Sequence, residues 1–166
     1  LGARKTVARI DNYEFMHSNN AEFFRMRGVD VLIYPELLAA REILKALQCN
    51  WVRNWFEIHE GQLIVIGVKI RESAPLAGIQ LKDLATRSRD FHVSAIKRHQ
   101  ETIIPRGSDY IRPGDIIYVT TTAAGVDDLR MLCGKKEMDI RKVLIMGGSR
   151  IAVRLINMAP ERFRFH

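Results

Sequence analysis

The 166-residue chain has few of the features that mark secreted, metal-binding or membrane-spanning proteins. Its cysteines, Cys49 and Cys133, lack CxxC spacing, so we expect two reduced structural thiols, with a disulfide as the less favoured alternative. The five histidines show no metal-ligand spacing, and we assign no metal site. No apolar run approaches the roughly 18 residues that span a bilayer. Residues 1–5 contain neither an initiator Met nor a signal-peptide core, so we expect a soluble piece of a longer chain.

The chain has more basic than acidic side chains. A formal net charge of +7 leaves nucleic acid, an anionic membrane surface or anionic ligands open as partners, and a solvated basic surface is the favoured alternative. Lysine and arginine are scattered rather than striped, and no nucleic-acid recognition motif is present. We therefore predict that the protein does not bind nucleic acid.

The N-terminal third has the pattern of a βαβ unit. Residues 6–10 form a β-branched run typical of a strand, and residues 31–33 form a second one. Between them, residues 21–27 have helical character, with Gly28 where a helix C-terminus favours glycine. Two strands joined by a helix predict parallel pairing with a right-handed crossover.

A long helix is predicted next, over residues 35–48. Pro35 suits the first helical position, and Glu36 complements the positive end of the helix dipole. The apolar stripe is wider than one buried face requires, so we expect the helix to be packed on more than one side, either within the chain or against another subunit. Its members include Leu37, Leu38, Ile43, Leu44 and Leu47.

The central part of the chain predicts a small mixed lobe. Residues 50–61 have the character of a hinge, and the continuous apolar run 63–70 predicts a strand buried on both faces. The remaining elements are a short helix over 79–86, strands over 91–97, 101–104 and 115–122, and a helix over 124–133.

The last segment predicts a strand over 142–146, a glycine turn, and a helix reaching residue 158. The turn, Gly147-Gly148-Ser149-Arg150-Ile151-Ala152, resembles the G-x-G-x-x-G turn that brings backbone close to a pyrophosphate at a helix N-terminus. Ser149 and Ala152 replace its second and third glycines. The acidic residue expected about twenty positions later has no counterpart before His166.

Four motifs of the central lobe occur in an order that resembles the C-terminal lobe of RCK domains. They are Pro75-Leu76-x-Gly78, Leu81-x-x-Leu84, Ile104-Pro105-Arg106-Gly107, and Gly114-Asp115 before a strand. More narrowly, the chain resembles TrkA-type peripheral subunits of bacterial potassium uptake systems, which repeat a nucleotide-binding lobe and a C-terminal lobe twice. The resemblance implies an α/β and α+β fold, with a partial Rossmann-like βαβ unit, a crossover helix, and a small mixed α+β lobe. It implies three parts: residues 1–50 end a first Rossmann-like lobe, 51–137 form a C-terminal lobe, and 138–166 begin a second Rossmann-like lobe.

The resemblance also implies site residues. Nucleotide would contact Arg9 and Glu36, together with Gly147, Gly148, Ser149 and Arg150 of the glycine turn. The alternative for Arg9 is a surface salt bridge, and for Glu36 a dipole partner. Lys97, Arg98 and Arg106 are candidates for an anionic effector, although a hydrated hairpin turn is favoured. The crossover helix would form a dimer interface through Leu37, Leu38, Ile43, Leu44 and Leu47.

The implied function is that of a cytoplasmic, nucleotide-responsive regulatory subunit at the inner membrane that gates a TrkH-like, potassium-translocating pore subunit. No Ser/His/Asp order or carboxylate pair suits catalysis, so we predict no enzymatic activity. The alternative is a fragment of an NAD(P)-dependent oxidoreductase. We expect the full-length protein to bind NAD(H) or ATP/ADP, and this chain alone to bind neither.

Overall fold

The computed structural model describes residues 2–87 and 90–166. The chain divides into two compact units. Unit 1 contains Leu1–Leu47 and Ile140–His166, and unit 2 contains Gln48–Asp139. Unit 2 spans nearly the same residues as the predicted C-terminal lobe. The assignment of 138–166 to a second Rossmann-like lobe stays a prediction.

The N-terminal part of unit 1 is the predicted βαβ unit. Strand β1 (Val7–Arg9) and strand β2 (Val31–Ile33) pair in parallel, with Val7 opposite Val31. Helix α1 (Ser18–Met26) lies between them in sequence, and Gly28 follows with φ +81°, which glycine adopts without steric cost. Helix α2 (Pro35–Gln48) begins directly after β2 and has the predicted bounds.

The C-terminal part of unit 1 repeats the same arrangement on a smaller scale. Strand β8 (Lys142–Val143) pairs in parallel with strand β9 (Arg164–Phe165), and helix α5 (Arg150–Met158) connects them. The predicted strand over 142–146 is therefore too long, because β8 comprises only its first two residues, although the Ile145 N–H also donates to the His166 carbonyl at 2.9 Å. The buried side chains of unit 1 are Ile10, Tyr34, Ala40, Ala152, Leu155 and Phe163.

Unit 2 is built around one antiparallel sheet of five strands in the order β3-β4-β7-β5-β6. The strands are β3 (Asn54–Ile58), β4 (Leu63–Lys69), β5 (Phe91–Arg98), β6 (Glu101–Ile103) and β7 (Ile116–Thr121). Helix α3 (Leu81–Arg87) precedes β5, and helix α4 (Val126–Leu132) follows β7 after a 3-10 turn.

The core of unit 2 lies on one face of this sheet. Ile66 and Val68 of β4, with Ile117 and Val119 of β7, are fully buried, whereas Leu63 is 37% exposed. The prediction that this strand is buried on both faces is therefore wrong at its start. Strands of an antiparallel sheet commonly bury alternate residues, and the continuous apolar run hid that alternation.

The prediction of a hinge over residues 50–61 is wrong for Asn54–Ile58. These residues form β3, which pairs with β4 in an antiparallel hairpin, with Trp55 opposite Ile66. The connecting turn places His59 and Glu60 at positive φ, before Gly61 at φ +87°. Gly61 adopts this conformation without steric cost, and the turn lacks the Asn-Gly or Asp-Gly pair that marks a hairpin most strongly.

Candidate functional site

The glycine turn is an open segment of backbone before α5. Gly147 has φ +110°, a conformation that disfavours any side chain. No atom lies within 4 Å of the position that a Cβ would occupy at Gly147 or at Gly148. The turn therefore leaves room for a ligand to approach the backbone.

Ser149 caps α5 from its N-terminus. Its Oγ accepts a hydrogen bond from the backbone N–H of Ala152 at 3.3 Å, and its own carbonyl accepts from Val153 at 3.2 Å. In a G-x-G-x-x-G turn a glycine at this position lets pyrophosphate reach the helix amides directly. Here the serine hydroxyl already satisfies one of those amides.

Arg150 joins the glycine turn to the N-terminal part of unit 1. Its Nη2 lies 3.1 Å from Oε1 of Glu36, which is only 15% exposed, and its Nη1 donates to the carbonyl of Asp11. Within the described residues, Oε2 of Glu36 is buried without a hydrogen-bond partner. An unsatisfied buried carboxylate oxygen is costly, so a donor from a ligand or water would stabilise this site.

The structure brings together five of the six residues predicted to bind nucleotide: Glu36, Gly147, Gly148, Ser149 and Arg150. The sixth, Arg9, is the exposed last residue of β1, two positions before Asp11. The structure records no direct contact from Arg9 to Glu36 or Arg150.

Two contributors to this region were missed from the sequence. The guanidinium of Arg154 lies 3.8 Å from the centre of the Tyr13 ring, and the two belong to separate parts of the chain. Nothing in their local sequence indicates this contact. A cation over an aromatic ring stabilises such a pair by about 0.5–1 kcal/mol at exposed sites.

The predicted interface residues leave an apolar surface on α2. Leu38 is 47% exposed and Ile43 is 41% exposed, while Leu37, Leu44 and Leu47 are half-buried. Ala40 is the helix's buried residue. The stripe is therefore incompletely covered within unit 1.

A second candidate site is a cleft in unit 2 with a volume of about 430 Å³, here called the basic cleft. Its lining residues are Arg53, Lys69, Lys97, Arg98, His99, Arg112, Pro113, Gly114, Asp115 and Ile116. It contains the predicted residues Lys97 and Arg98. Arg106 lies apart, in a cleft with Leu81 and Phe91. Arg53, Lys69 and Arg112 were not predicted, because each comes from a different segment.

Asp115 holds Arg98 at the base of the basic cleft. Burial raises the pKa of the Asp115 carboxyl. The hydrogen bonds from Arg98 and from the Arg112 backbone N–H, together with the charges of both arginines, lower it by more than burial raises it. The net result is a pKa below the ordinary value, so Asp115 is ionised at neutral pH. The hydrogen bonds that Arg98 donates to Asp115 correspondingly raise the pKa of Arg98.

Comparison with known proteins identifies the central lobe. Residues 65–134 match the model of the TrkA-C domain. They run from within β4 through α4 and contain all four motifs noted in the sequence.

The similarity to individual proteins covers more of the chain. The chain is 29% identical over 143 residues to Trk system potassium uptake protein trkA homolog 1 from Methanosarcina mazei, covering 86% of this chain and 35% of that protein. It is 30% identical over 129 residues to Trk system potassium uptake protein TrkA from Halomonas elongata, covering 76% and 28%. The chain thus spans about a third of the length of the curated relatives it matches.

Solved structures confirm the fold. The GsuK RCK domain aligns over 98% of this chain and 40% of its own, with a TM-score of 0.50 and 14% identity. The GsuK channel bound to NAD aligns over 92% of this chain and 27% of its own, with the same TM-score and identity. The resemblance to RCK domains and TrkA-type proteins and the α/β and α+β fold class are therefore confirmed.

Among residues 2–87 and 90–166, no helix has both the length and the apolar character needed to cross a bilayer.

Proposed function

We propose that this chain is part of a cytoplasmic regulatory subunit that controls a potassium-translocating membrane protein without catalysing a reaction. The observation that carries the proposal is the similarity to Trk potassium uptake proteins over 86% of the chain, with the TrkA-C match at its centre. The partner would be a TrkH-like pore subunit, and the regulatory subunit would lie at the periphery of the inner membrane.

The proposed signal is a nucleotide, NAD(H) or ATP/ADP, bound by the full-length protein. One solved relative is described as bound to NAD, which supports this ligand class. In this chain the exposed glycine turn, the Arg150–Glu36 ion pair and Arg9 would contribute to the site. Ser149 already caps α5, and we expect the isolated chain to bind no nucleotide.

The proposed coupling element is the apolar stripe of α2. Two copies that pack these stripes together would bury Leu37, Leu38, Ile43, Leu44 and Leu47, part of which lies exposed in the single chain. A nucleotide can shift such an assembly only if it binds one arrangement more tightly than the other. The free energy of that difference would be transmitted to the pore subunit.

Rubidium uptake tests the proposal. Cells lacking the full-length gene would be complemented with the wild-type gene or with a variant that carries Glu36→Gln and Arg150→Gln. We expect the wild-type gene to restore uptake and the variant to restore less, because the variant loses an ion pair at the nucleotide site. A matched variant, Asp127→Asn with Arg130→Gln, removes an exposed ion pair elsewhere and should restore uptake fully. Uptake that does not depend on the wild-type gene would refute a regulatory role in potassium transport.

Hydride transfer provides the second test. The proposal predicts no NAD(P)-dependent oxidation or reduction by the full-length protein. Reproducible turnover by the wild-type protein would instead favour an oxidoreductase, provided that an inactive variant purified in the same way shows none.

A further inference from the structure

We propose that the basic cleft of unit 2 is a binding site for a small soluble anion that carries two or more phosphate groups. This inference does not depend on the proposed potassium function, because it rests on the geometry and charge of unit 2 alone.

The basic cleft has the size of a ligand site. Its volume of about 430 Å³ falls within the roughly 300–1,000 Å³ typical of small-molecule sites. Arg53 precedes β3, Lys69 ends β4, Lys97 and Arg98 end β5, and Arg112 precedes β7. Cations from four segments therefore surround one concavity, which suits a compact anion better than an extended one.

The charges in the basic cleft do not cancel. Arg98 neutralises Asp115, the one carboxylate among the lining residues, through a two-point ion pair. The remaining four cations are Arg53, Lys69, Lys97 and Arg112. Within residues 2–87 and 90–166, the structure records no ion pair for these four, and all four are exposed. Anions that carry several charges bind such a site most strongly, because each phosphate can meet more than one cation.

Positive charge continues beyond the basic cleft. An adjoining cleft of about 580 Å³ shares Lys69, Pro113 and Gly114, and adds Arg71 with one acidic side chain, Glu72. Burial, followed by the charge of Arg71 and then, more weakly, that of Lys69, lowers the pKa of Lys135. Burial is the main cause of this shift, and the positive charges of Arg71 and Lys69 act in the same direction.

The wall of the basic cleft is held in place before any ligand binds. Oδ2 of Asp115 accepts a hydrogen bond from the Arg112 backbone N–H at 2.8 Å, and Arg98 donates to the Tyr110 carbonyl at 2.9 Å. Gly114, at φ +91°, donates to the Ile70 carbonyl at 2.9 Å. A preformed wall reduces the entropy that is lost on binding.

Isothermal titration calorimetry on the 166-residue chain tests this site, with pyrophosphate and tripolyphosphate as probes. We expect both to bind in a magnesium-free buffer at an ionic strength of about 0.1 M, more tightly than orthophosphate does. Lys69→Gln and Arg112→Gln should each weaken pyrophosphate binding by about tenfold, since each removes charge-assisted hydrogen bonds. Both side chains are exposed, so these variants should keep the wild-type circular dichroism spectrum and melting temperature.

Arg106→Gln is the matched control. It removes the same charge from an exposed position in the same unit, but Arg106 lies in a different cleft. Binding should change by less than about twofold, as long-range charge effects are screened in salt. The proposal is wrong if pyrophosphate does not bind, or if Arg106→Gln weakens binding as much as Lys69→Gln does.

Sedimentation with vesicles separates a soluble anion from a membrane headgroup. Vesicles of phosphatidylcholine alone would be compared with vesicles that also contain phosphatidylglycerol. Sedimentation that requires Lys69 and Arg112, without any binding of pyrophosphate, would contradict the proposal. It would show that the basic cleft binds a membrane surface and not a soluble anion. Pyrophosphate binding without sedimentation would support the proposal.

Discussion

Arg98 and Asp115 form a two-point ion pair in unit 2, with Nε to Oδ1 and Nη2 to Oδ2 both at 2.8 Å. Asp115 is 1% exposed, and it also accepts from the backbone of Arg112. Two parallel hydrogen bonds fix the guanidinium as well as its charge. The pair therefore connects the end of β5 to the turn before β7.

Asp115→Asn should lower the free energy of unfolding by about 2–4 kcal/mol, because it leaves a partly buried guanidinium without its carboxylate. Urea denaturation followed by circular dichroism measures this change. Asp127→Asn is the control, since its ion pair with Arg130 is exposed and should contribute less than about 1 kcal/mol. Equal losses for the two variants would contradict this role of Asp115.

The same ion pair predicts how stability depends on acid. The pKa of Asp115 is lower in the folded state than in the unfolded state, so its contribution is fully present above the unfolded value, about 3.9. The contribution should be lost as the pH falls below that value toward the folded pKa. The stability difference between wild type and Asp115→Asn should therefore shrink between about pH 5 and pH 2. A constant difference over that range would argue against the ion pair.

The exposed apolar residues of α2 predict self-association. In sedimentation equilibrium, the wild-type chain should form a dimer, and Leu38→Asp with Ile43→Asp should give folded monomers, because burying two carboxylates at an interface is costly. Met131→Asp, at an exposed apolar position of unit 2, should leave the dimer intact. A wild-type chain that remains monomeric at all concentrations would remove the support for a subunit interface.

The cap on α5 predicts a graded effect at one position. Ser149→Ala should lower the free energy of unfolding of unit 1 by about 1 kcal/mol, and Ser149→Gly by only a few tenths. Both substitutions remove the acceptor for Ala152 N–H, but glycine, without a Cβ, leaves that amide more open to water. Thermal denaturation of the two variants side by side provides the measurement. The reverse order would mean that the serine does not act as the cap.

Burial of Cys133 predicts an unreactive thiol. The structure contains no disulfide between Cys49 and Cys133, and Cys133 is 1% exposed. Burial raises the pKa of this thiol to about 12, against a weaker opposite effect of the Lys135 charge. In a Cys49→Ser chain, Cys133 should react with Ellman's reagent at pH 8 only after unfolding in urea. Rapid reaction of the folded chain would contradict its burial.

Alkaline pH should also destabilise the fold through Cys133. A thiol whose pKa is raised on folding stabilises the folded state fully below its unfolded pKa, about 8.5, and that contribution is lost as the pH rises toward 12. Cys133→Ala, which has no thiol to ionise, should lose less stability between about pH 8 and pH 10 than the wild type does. Equal losses would show that other groups account for the alkaline transition.

Local chemistry was enough to predict much of the fold. The bounds of α2, the parallel pairing of β1 with β2 and the positive φ of Gly28 all follow from residues close together in sequence. Proline at a helix start, branched residues in strands and glycine after a helix each act through backbone sterics within a few residues. The four motifs likewise carried the resemblance to an RCK C-terminal lobe, and residues 65–134, which contain them, match the model of the TrkA-C domain.

Tertiary structure decided the contents of the candidate sites. Pairing with β4 made residues 54–58 a strand, although their turn lacks an Asn-Gly or Asp-Gly pair. Only folding brings Arg150 to Glu36, and folding gathers Arg53, Lys69 and Arg112 around Lys97 while leaving Arg106 in another cleft. Sequence patterns report which face a side chain occupies within its own element, whereas charges from distant elements meet only when the sheet and turns assemble.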